Sequence, residues 1–388
     1  MTNTFRTMTL LAAAAALLAC AWAAPARAAS SAVWTQYGAE SFFAGTLEGI
    51  SLTSEGTLQL GMRSSHVMQT SEPYIWTLAQ DMVYRMDTSG NYDEMALLPG
   101  IGVSALAVDR KGALYAGTFP AGEVYRVDRR GKHELVAALP GRYVWALIPD
   151  GRGNLYAATG SPAGVHRVGP NGEVKTLLRT PERHILCMDL DENGNIYAGS
   201  SPSGLVFHID VSSEKFTVIY DLDEEEAYRL IALGGGQVLV AANRDQNPSA
   251  PAPQQGGGNN NAQKQVANRD EPLSFPLPYF SPQGGPPAAP SAIYRIKHNG
   301  DIRRLFTLPD PFILSFFKLD ATHYLAGTGS RGNVYTLDLE TRESVMHQLP
   351  VRQVLDIAGG ERRQFFATGN PGAVYTLDTA HNATGTYT

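Results

Sequence analysis

A phrase that returns at intervals of 41 residues predicts an all-β fold, a seven-bladed β-propeller of four-stranded antiparallel blades. Three observations carry this reading. The phrase is strand, small-residue turn, strand. It occurs as LYAGTFPAGEVYRV (114–127), LYAATGSPAGVHRV (155–168), IYAGSSPSGLVFHI (196–209), YLAGTGSRGNVYTL (324–337) and FFATGNPGAVYTL (365–377). Ala116, Ala157 and Ala198 mark the 41-residue step, and Ala326 and Ala367 mark it again. Each copy alternates with period two, is rich in Val, Ile and Tyr, and is interrupted by Gly, Pro, Asn and Asp. That chemistry excludes helical repeats of similar length.

Each repeat resolves into four strands. The first strands are VSALAVD (103–109), YVWALIPD (143–150), ILCMDLD (185–191), YRLIAL (228–233), ILSFFKLD (313–320) and VLDIAGG (354–360). YIWTLA (74–79) resembles YVWALI and makes a seventh. Hairpins RKGA, GRGN and ENGN follow three of them, with glycines that accept the positive φ of tight turns. The recurring phrase supplies the second and third strands. The fourth strands are HELVAALP (133–140), VKTLLRTP (174–181), FTVIYDL (216–222), IRRLFTLP (302–309) and SVMHQLP (344–350).

Two blades depart from the pattern. The first is short: the chain passes from Ala79-Gln80 into MVYRMD (82–87) without the hairpin and small-residue turn. The fifth is opened after VLVAAN (238–243) and resumes only at AIYRIK (292–297). The insertion, 246–290, holds 10 prolines in 45 residues and a GGGNNN run, a composition that predicts disordered or extended chain. Within it PLSFPLPYF (272–280) could form a polyproline-like strip with aromatic faces. The last repeat ends after its third strand, before a polar tail (380–388). The propeller therefore spans 40–379, and its ring is expected to close by pairing a strand within 42–62 with Ala373 to Leu377.

Composition narrows the function. Hydrophobic residues make up 43% and charged residues 18%, the balance of a globular protein. Net charge is −6 and the basic residues are scattered, which argues against nucleic-acid binding. Residues 1–28 read as a signal peptide: Arg6 in a polar start, an apolar run from Leu10 to Ala24, and Ala26-Arg27-Ala28 as a cleavage site. The expected location is periplasmic or extracellular. Leu17-Leu18-Ala19-Cys20 also resembles a lipoprotein box, so lipidation of Cys20 and anchoring in the envelope is the alternative. No transmembrane segment is expected in the mature chain. Cys187 then stands alone in an apolar run, where it reads as a small buried hydrophobe.

VDRKGALYAG (108–117), PDGRGNLYAA (149–158) and LDENGNIYAG (190–199) resemble the D-x-x-G-x-Ile/Leu-Tyr-Ala/Val pattern of NHL, gluconolactonase-like and streptogramin-lyase-like propellers, within the WD40-like superfamily. The resemblance covers roughly 42–379 apart from the insertion. It implies architecture more than activity. Some relatives are metal-dependent lactonases or lyases; many more are binding or assembly modules. The lactonase-like enzymes hold a divalent metal at the channel mouth with Glu, Asn and Asp, but no such set can be placed here, so no catalytic residue is carried over.

The motifs that carry chemistry point the same way. Asp189 to Ile196 looks like the start of an EF-hand, but Ser200 stands where the bidentate carboxylate belongs. Histidines are dispersed, and His166 and His208 occupy strand positions held elsewhere by Tyr and Arg. Arg85, Arg126, Arg167 and Arg295 share one register of the third strands and read as inter-blade packing. The functional candidates are the connections into the first strands, which converge on one face of the ring. They bring Tyr74, Arg142, Tyr143, Arg183, His184, Glu226, Tyr228, Phe312, Arg352 and Gln353 to the channel mouth, and the insertion emerges on the same face. Arginines with aromatics there favour a protein or an anionic small molecule as partner. The expectation is an exported, non-enzymatic binding or assembly module with no cofactor. The alternatives are a metal-dependent lactonase or lyase using carboxylates such as Glu226 and Asp356, and a lipid-anchored structural envelope protein.

Overall fold

The computed structural model describes residues 50–53, 58–60, 63–69, 82–86, 92–100, 102–128, 130–244, 290–360, 363–369 and 372–378. The chain divides into two compact units, Met1–Thr46 and Leu47–Thr388, and every described residue belongs to the second. Among the described residues there is no helix.

Three strands come first: β1 (Ile50–Thr53), β2 (Leu58–Leu60) and β3 (Arg63–Gln69). Blade one is the two-stranded sheet of β4 (Met82–Met86) and β5 (Tyr92–Leu97). Blade two is the meander β6 (Gly102–Val108), β7 (Leu114–Phe119), β8 (Glu123–Val127) and β9 (His133–Ala138). Blade three follows with β10 (Tyr143–Pro149), β11 (Leu155–Gly160), β12 (Gly164–Val168) and β13 (Val174–Arg179). Blade four is β14 (His184–Leu190), β15 (Ile196–Ser201), β16 (Leu205–Asp210) and β17 (Lys215–Asp221). Blade five is β18 (Glu226–Leu233), β19 (Gln237–Asn243), β20 (Ser291–Lys297) and β21 (Ile302–Leu308). Blade six is β22 (Ile313–Lys318), β23 (His323–Thr328), β24 (Asn333–Asp338) and β25 (Ser344–Gln348). Blade seven contributes β26 (Gln353–Gly360), β27 (Arg363–Gly369) and β28 (Ala373–Asp378).

Ring closure follows the expected logic with a different strand. β28 pairs antiparallel with β3, from Ala373 opposite Gln69 to Asp378 opposite Arg63. The closing segment is therefore 63–69 and not a stretch within 42–62. β3 is seven residues long and spans β28, whereas β2 is only three residues long. β1 and β2 instead widen blade six, through Leu52 opposite Met346 and Thr53 opposite Val345. Blade one shows only its third and fourth strands; its expected first strand, 74–79, lies outside the described residues, as do the expected signal peptide, the polar tail and 245–289 of the insertion.

The recurring phrase folds as it does for local reasons. Near the ends of β7, β23 and β27, Thr118, Thr328 and Thr368 donate hydroxyl hydrogen bonds across the turn to the carbonyls of Glu123, Asn333 and Ala373, at 3.1, 3.1 and 3.0 Å. These bonds pin the second strand to the start of the third. The preceding position is small because the next blade presses on it. A Cβ on Gly117 would meet Val144 Cγ1 at 2.5 Å, and one on Gly327 would meet Val354 Cγ1 at 2.5 Å. In the D-x-x-G hairpins Asp109, Asp150 and Asp191 each accept two backbone N–H bonds of their own turn. This use of Asp191 explains the resemblance to a calcium loop as turn chemistry.

The core lies between blades. Tyr156, Ile185, Ile196, Phe207 and Ile209 join blades three and four; Tyr197, Val206, Val238 and Val240 join four and five. Burying one such side chain fully stabilises by about 1.5–3 kcal/mol. Each described first strand also carries a β-bulge at one place, at Ser104, Trp145, Leu186, Tyr228, Leu314 and Leu355. The residue before each bulge, Val103, Val144, Ile185, Ala227, Ile313 or Val354, is fully buried. The bulge turns the next side chains towards the ring centre.

Candidate functional site

The turns between second and third strands meet the connections into the first strands on one face. Arg142 N donates to Ser161 O at 3.2 Å, Ser161 N to Arg183 O at 2.9 Å, and Arg183 N to Ser201 O at 3.1 Å. Across the ring Gly329 N donates to Phe312 O and Gly332 N to Arg352 O. A chain of main-chain bonds thus fixes the loops that carry the candidate residues.

The expected set divides in two on this face. Arg142, Arg183 and Arg352 are exposed. Their neighbours Tyr143, His184, Phe312 and Gln353 are buried, at 3–6% exposure, and form the floor beneath them. Glu226 and Tyr228 are half-buried, and Tyr74 lies outside the described residues. Beneath Arg142 and Arg183 the floor is aromatic: Phe119 stacks towards Tyr143 at 6.1 Å and Tyr143 on Trp145 at 5.2 Å. Trp145 Nε1 donates to His184 Nδ1 at 3.0 Å. Burial and then the Arg183 charge lower the His184 pKa to about 4, so the ring is neutral at pH 7 and carries its proton on Nε2.

Three buried or half-buried carboxylates hold the same loops, and sequence reading missed them. Asp310 accepts from Ser330 Oγ at 2.8 Å, Asn333 Nδ2 at 3.0 Å and Tyr335 Oη at 2.6 Å. Glu224 accepts from Tyr294 Oη at 3.0 Å, and Glu182 from Ser200 Oγ at 3.0 Å and Ser203 N at 2.9 Å. The signal was there, an acid in each of the three connections 180–183, 222–225 and 309–312 between a fourth strand and the next first strand.

The insertion is rooted on this face. Asn243, fully buried, donates through Nδ2 to Ile313 O at 3.1 Å and accepts from Ile313 N at 2.8 Å. Ser291 Oγ donates to Asp310 O at 2.8 Å. These two residues flank the opening and tie it to blade six.

Below the face, first strands of blades two to five and blade seven line a cavity of about 800 Å³. Arg229 and Asp356 belong to its wall. Solvent reaches Asp356 from the channel, yet the enclosing walls raise its pKa, with the Arg229 charge opposing that rise. Cys187 is buried, donates to Ala227 O at 3.2 Å, and burial pushes its pKa up to about 12, so it is a packed thiol. The third-strand arginines differ among themselves. Arg126 pairs with Glu134 in its own blade at 3.5 Å, whereas Arg167 reaches Glu214 of blade four at 3.7 Å.

A divalent metal, implied by the resemblance to lactonase-like propellers, needs several converging ligands. The described residues contain no group of three or more His, Cys, Asp or Glu that could hold one. Glu226 and Asp356 stand on different blades, and only Asp356 lines the cavity. The residues do not fit that group.

No family model matches the chain in sequence, and no curated protein does. Solved structures are similar in fold. Virginiamycin B lyase from Staphylococcus aureus matches with TM-score 0.59 at 10% identity, over 82% of this chain and 99% of the lyase. A streptogramin B lyase gives 0.59 at 12% identity, over 82% and 97%. The WD40 domain of Doa1 gives 0.55 at 11% identity, over 82% and 95%. Their common ground is the scaffold: this chain is a β-propeller of the fold shared by streptogramin-type lyases and WD40 domains.

Proposed function

We propose that this protein is an exported, non-enzymatic binding or assembly module that takes a protein or anionic ligand on the ring face bearing the insertion. One observation carries the reading. Arg142, Arg183 and Arg352 stand exposed on loops locked by main-chain bonds, above a buried aromatic and polar floor. Arginine forks held in place recognise carboxylate and phosphate groups well. The fold is equally at home in lyases and interaction modules, so it supports neither by itself. What favours binding is that His184, Asp310 and Glu182 on this face are already occupied. His184 accepts from Trp145, and Asp310 and Glu182 hold loop residues.

The test compares two variants of the full chain in pull-downs from the envelope and secreted fractions. Replacing Arg142, Arg183 and Arg352 together by Ala removes the captured partner by more than about tenfold. Replacing Arg110 and Arg152, which lie on the hairpin face, leaves capture unchanged. Equal capture by both variants contradicts the proposal. A stoichiometric Ca, Mg or Zn ion that survives dialysis and is lost in Asp356→Asn would favour the metal-dependent reading instead.

A further inference from the structure

The ring centre offers a second site, distinct in chemistry from the face above it. The cavity of about 800 Å³ lies in the range of small-molecule sites. Much of its wall is apolar, with Leu147, Met188 and Leu230 around it. Trp145 also lines it, and its indole N–H is already given to His184, so it offers ring surface to an occupant.

Among the described residues of this wall stand one cation, Arg229, and two anions, Asp356 and Asp128. Arg229 on β18 lies over the Tyr228 ring at 4.7 Å and donates one bond, from Nη1 to Tyr228 O at 3.2 Å. Asp356 on β26 accepts one bond, from Ile357 N at 3.0 Å. Among the described residues the two make no ion pair with each other or with a third group. Asp128 also borders the cavity, but its carboxylate accepts Arg130 N and Lys132 N of its own turn. At the matching register the other described first strands carry Ala105, Ala146, Cys187 and Ser315, so among them the two charges stand out against small residues.

We infer that the channel binds a net-neutral zwitterion with an apolar body, of the size and chemistry of a short linear peptide with free termini. Its carboxylate pairs with Arg229 and its ammonium with Asp356, while the apolar part covers Trp145, Leu147 and Met188. Charge selects this class. A lone anion or lone cation entering the cavity leaves the opposite wall charge desolvated and unpaired, whereas a zwitterion satisfies both. None of the three face arginines lines the cavity, so the inference stands apart from the face reading.

Calorimetric titration of the full chain with the tripeptide Leu-Phe-Leu tests it, alongside the same peptide N-acetylated or C-amidated. Wild-type protein binds the free tripeptide at least about tenfold more tightly than either capped form. In Asp356→Asn acetylation no longer weakens binding, and in Arg229→Gln amidation no longer weakens it. The Arg142, Arg183 and Arg352 triple variant keeps the wild-type pattern, which separates this site from the face. No heat with the free tripeptide at millimolar concentration overturns the inference. So does equal binding of free and capped peptides, or capping penalties that persist in the variants. Should either variant fail to fold by circular dichroism, the capping series on the wild type decides alone.

Discussion

Blades three and five solve the same problem in two ways. In blade three the turn between β11 and β12 is closed, and its Ser161 bridges Arg142 on one side and Arg183 on the other. In blade five that turn is open, and Asn243 and Ser291 take over the bridging, with their side chains gripping Ile313 and Asp310 of the next connection. The ring contact survives: the main-chain bond from Ser291 N to Asp310 O at 3.1 Å remains, and the side chains of Asn243 and Ser291 add to it. A propeller can therefore open one turn for an insertion if the residues at its roots supply the lost bonds. The two blades also differ in what they present. Blade three shows an arginine above an aromatic stack, whereas blade five shows the roots of a long segment.

The comparison can be broken most sharply at Asn243. Asn243→Ala leaves the buried N–H and C=O of Ile313 without partners, and costs about 2–5 kcal/mol in denaturant unfolding. A loss below about 1 kcal/mol would mean that the opened turn needs no clamp. Blade three and its neighbour have their own vulnerability in acid. Burial, with Arg179 and Arg183 nearby, lowers the pKa of His166 and His184 to about 4 each. A histidine lowered in the folded state binds its proton more readily when unfolded. Stability is thus full above about pH 6.5 and falls as pH drops towards 4, by about 2 kcal/mol per imidazole at pH 5. Melting curves from pH 7 to pH 5 read this directly, and His166→Gln/His184→Gln flattens the slope even if it lowers the melting temperature at pH 7. The smallest effect is expected from replacing 246–289 by a short Gly-Ser turn. Unfolding free energy then rises by no more than about 2 kcal/mol, because loop-closure entropy varies slowly with length. A loss would mean that the insertion itself packs on the ring.

Much of this fold was legible in the amino-acid order because its determinants are local and repeated. Thr118, Thr328 and Thr368 do the same work at the same place, and Asp109, Asp150 and Asp191 do the same in the hairpins. The partner of the closing strand was legible too, but the expected segment, 42–62, lay too early, because 63–69 (RSSHVMQ) is largely polar and lacks the apolar alternation that marks a strand. Less could be read of the site. Tyr143, His184, Phe312 and Gln353 looked like loop-end residues open to solvent, yet neighbouring turns fold over them, through main-chain bonds such as Ser161 N to Arg183 O and Gly332 N to Arg352 O that join separate segments. The bulges left no trace either, because Ser104, Trp145, Leu186 and Tyr228 share no side-chain chemistry. Without them Arg229 and Asp356 could not be set on the wall of one cavity.

The central claim is that the arginine-bearing face of the ring is where a partner sits. Hydrogen-exchange mass spectrometry on the full chain, alone and with its captured partner, measures that directly. Added protection is expected at 141–143, 182–184 and 351–353, with none at the hairpins 109–113 and 150–154. Protection confined to the hairpin face or to the outer strands β9, β13 and β17 would contradict it.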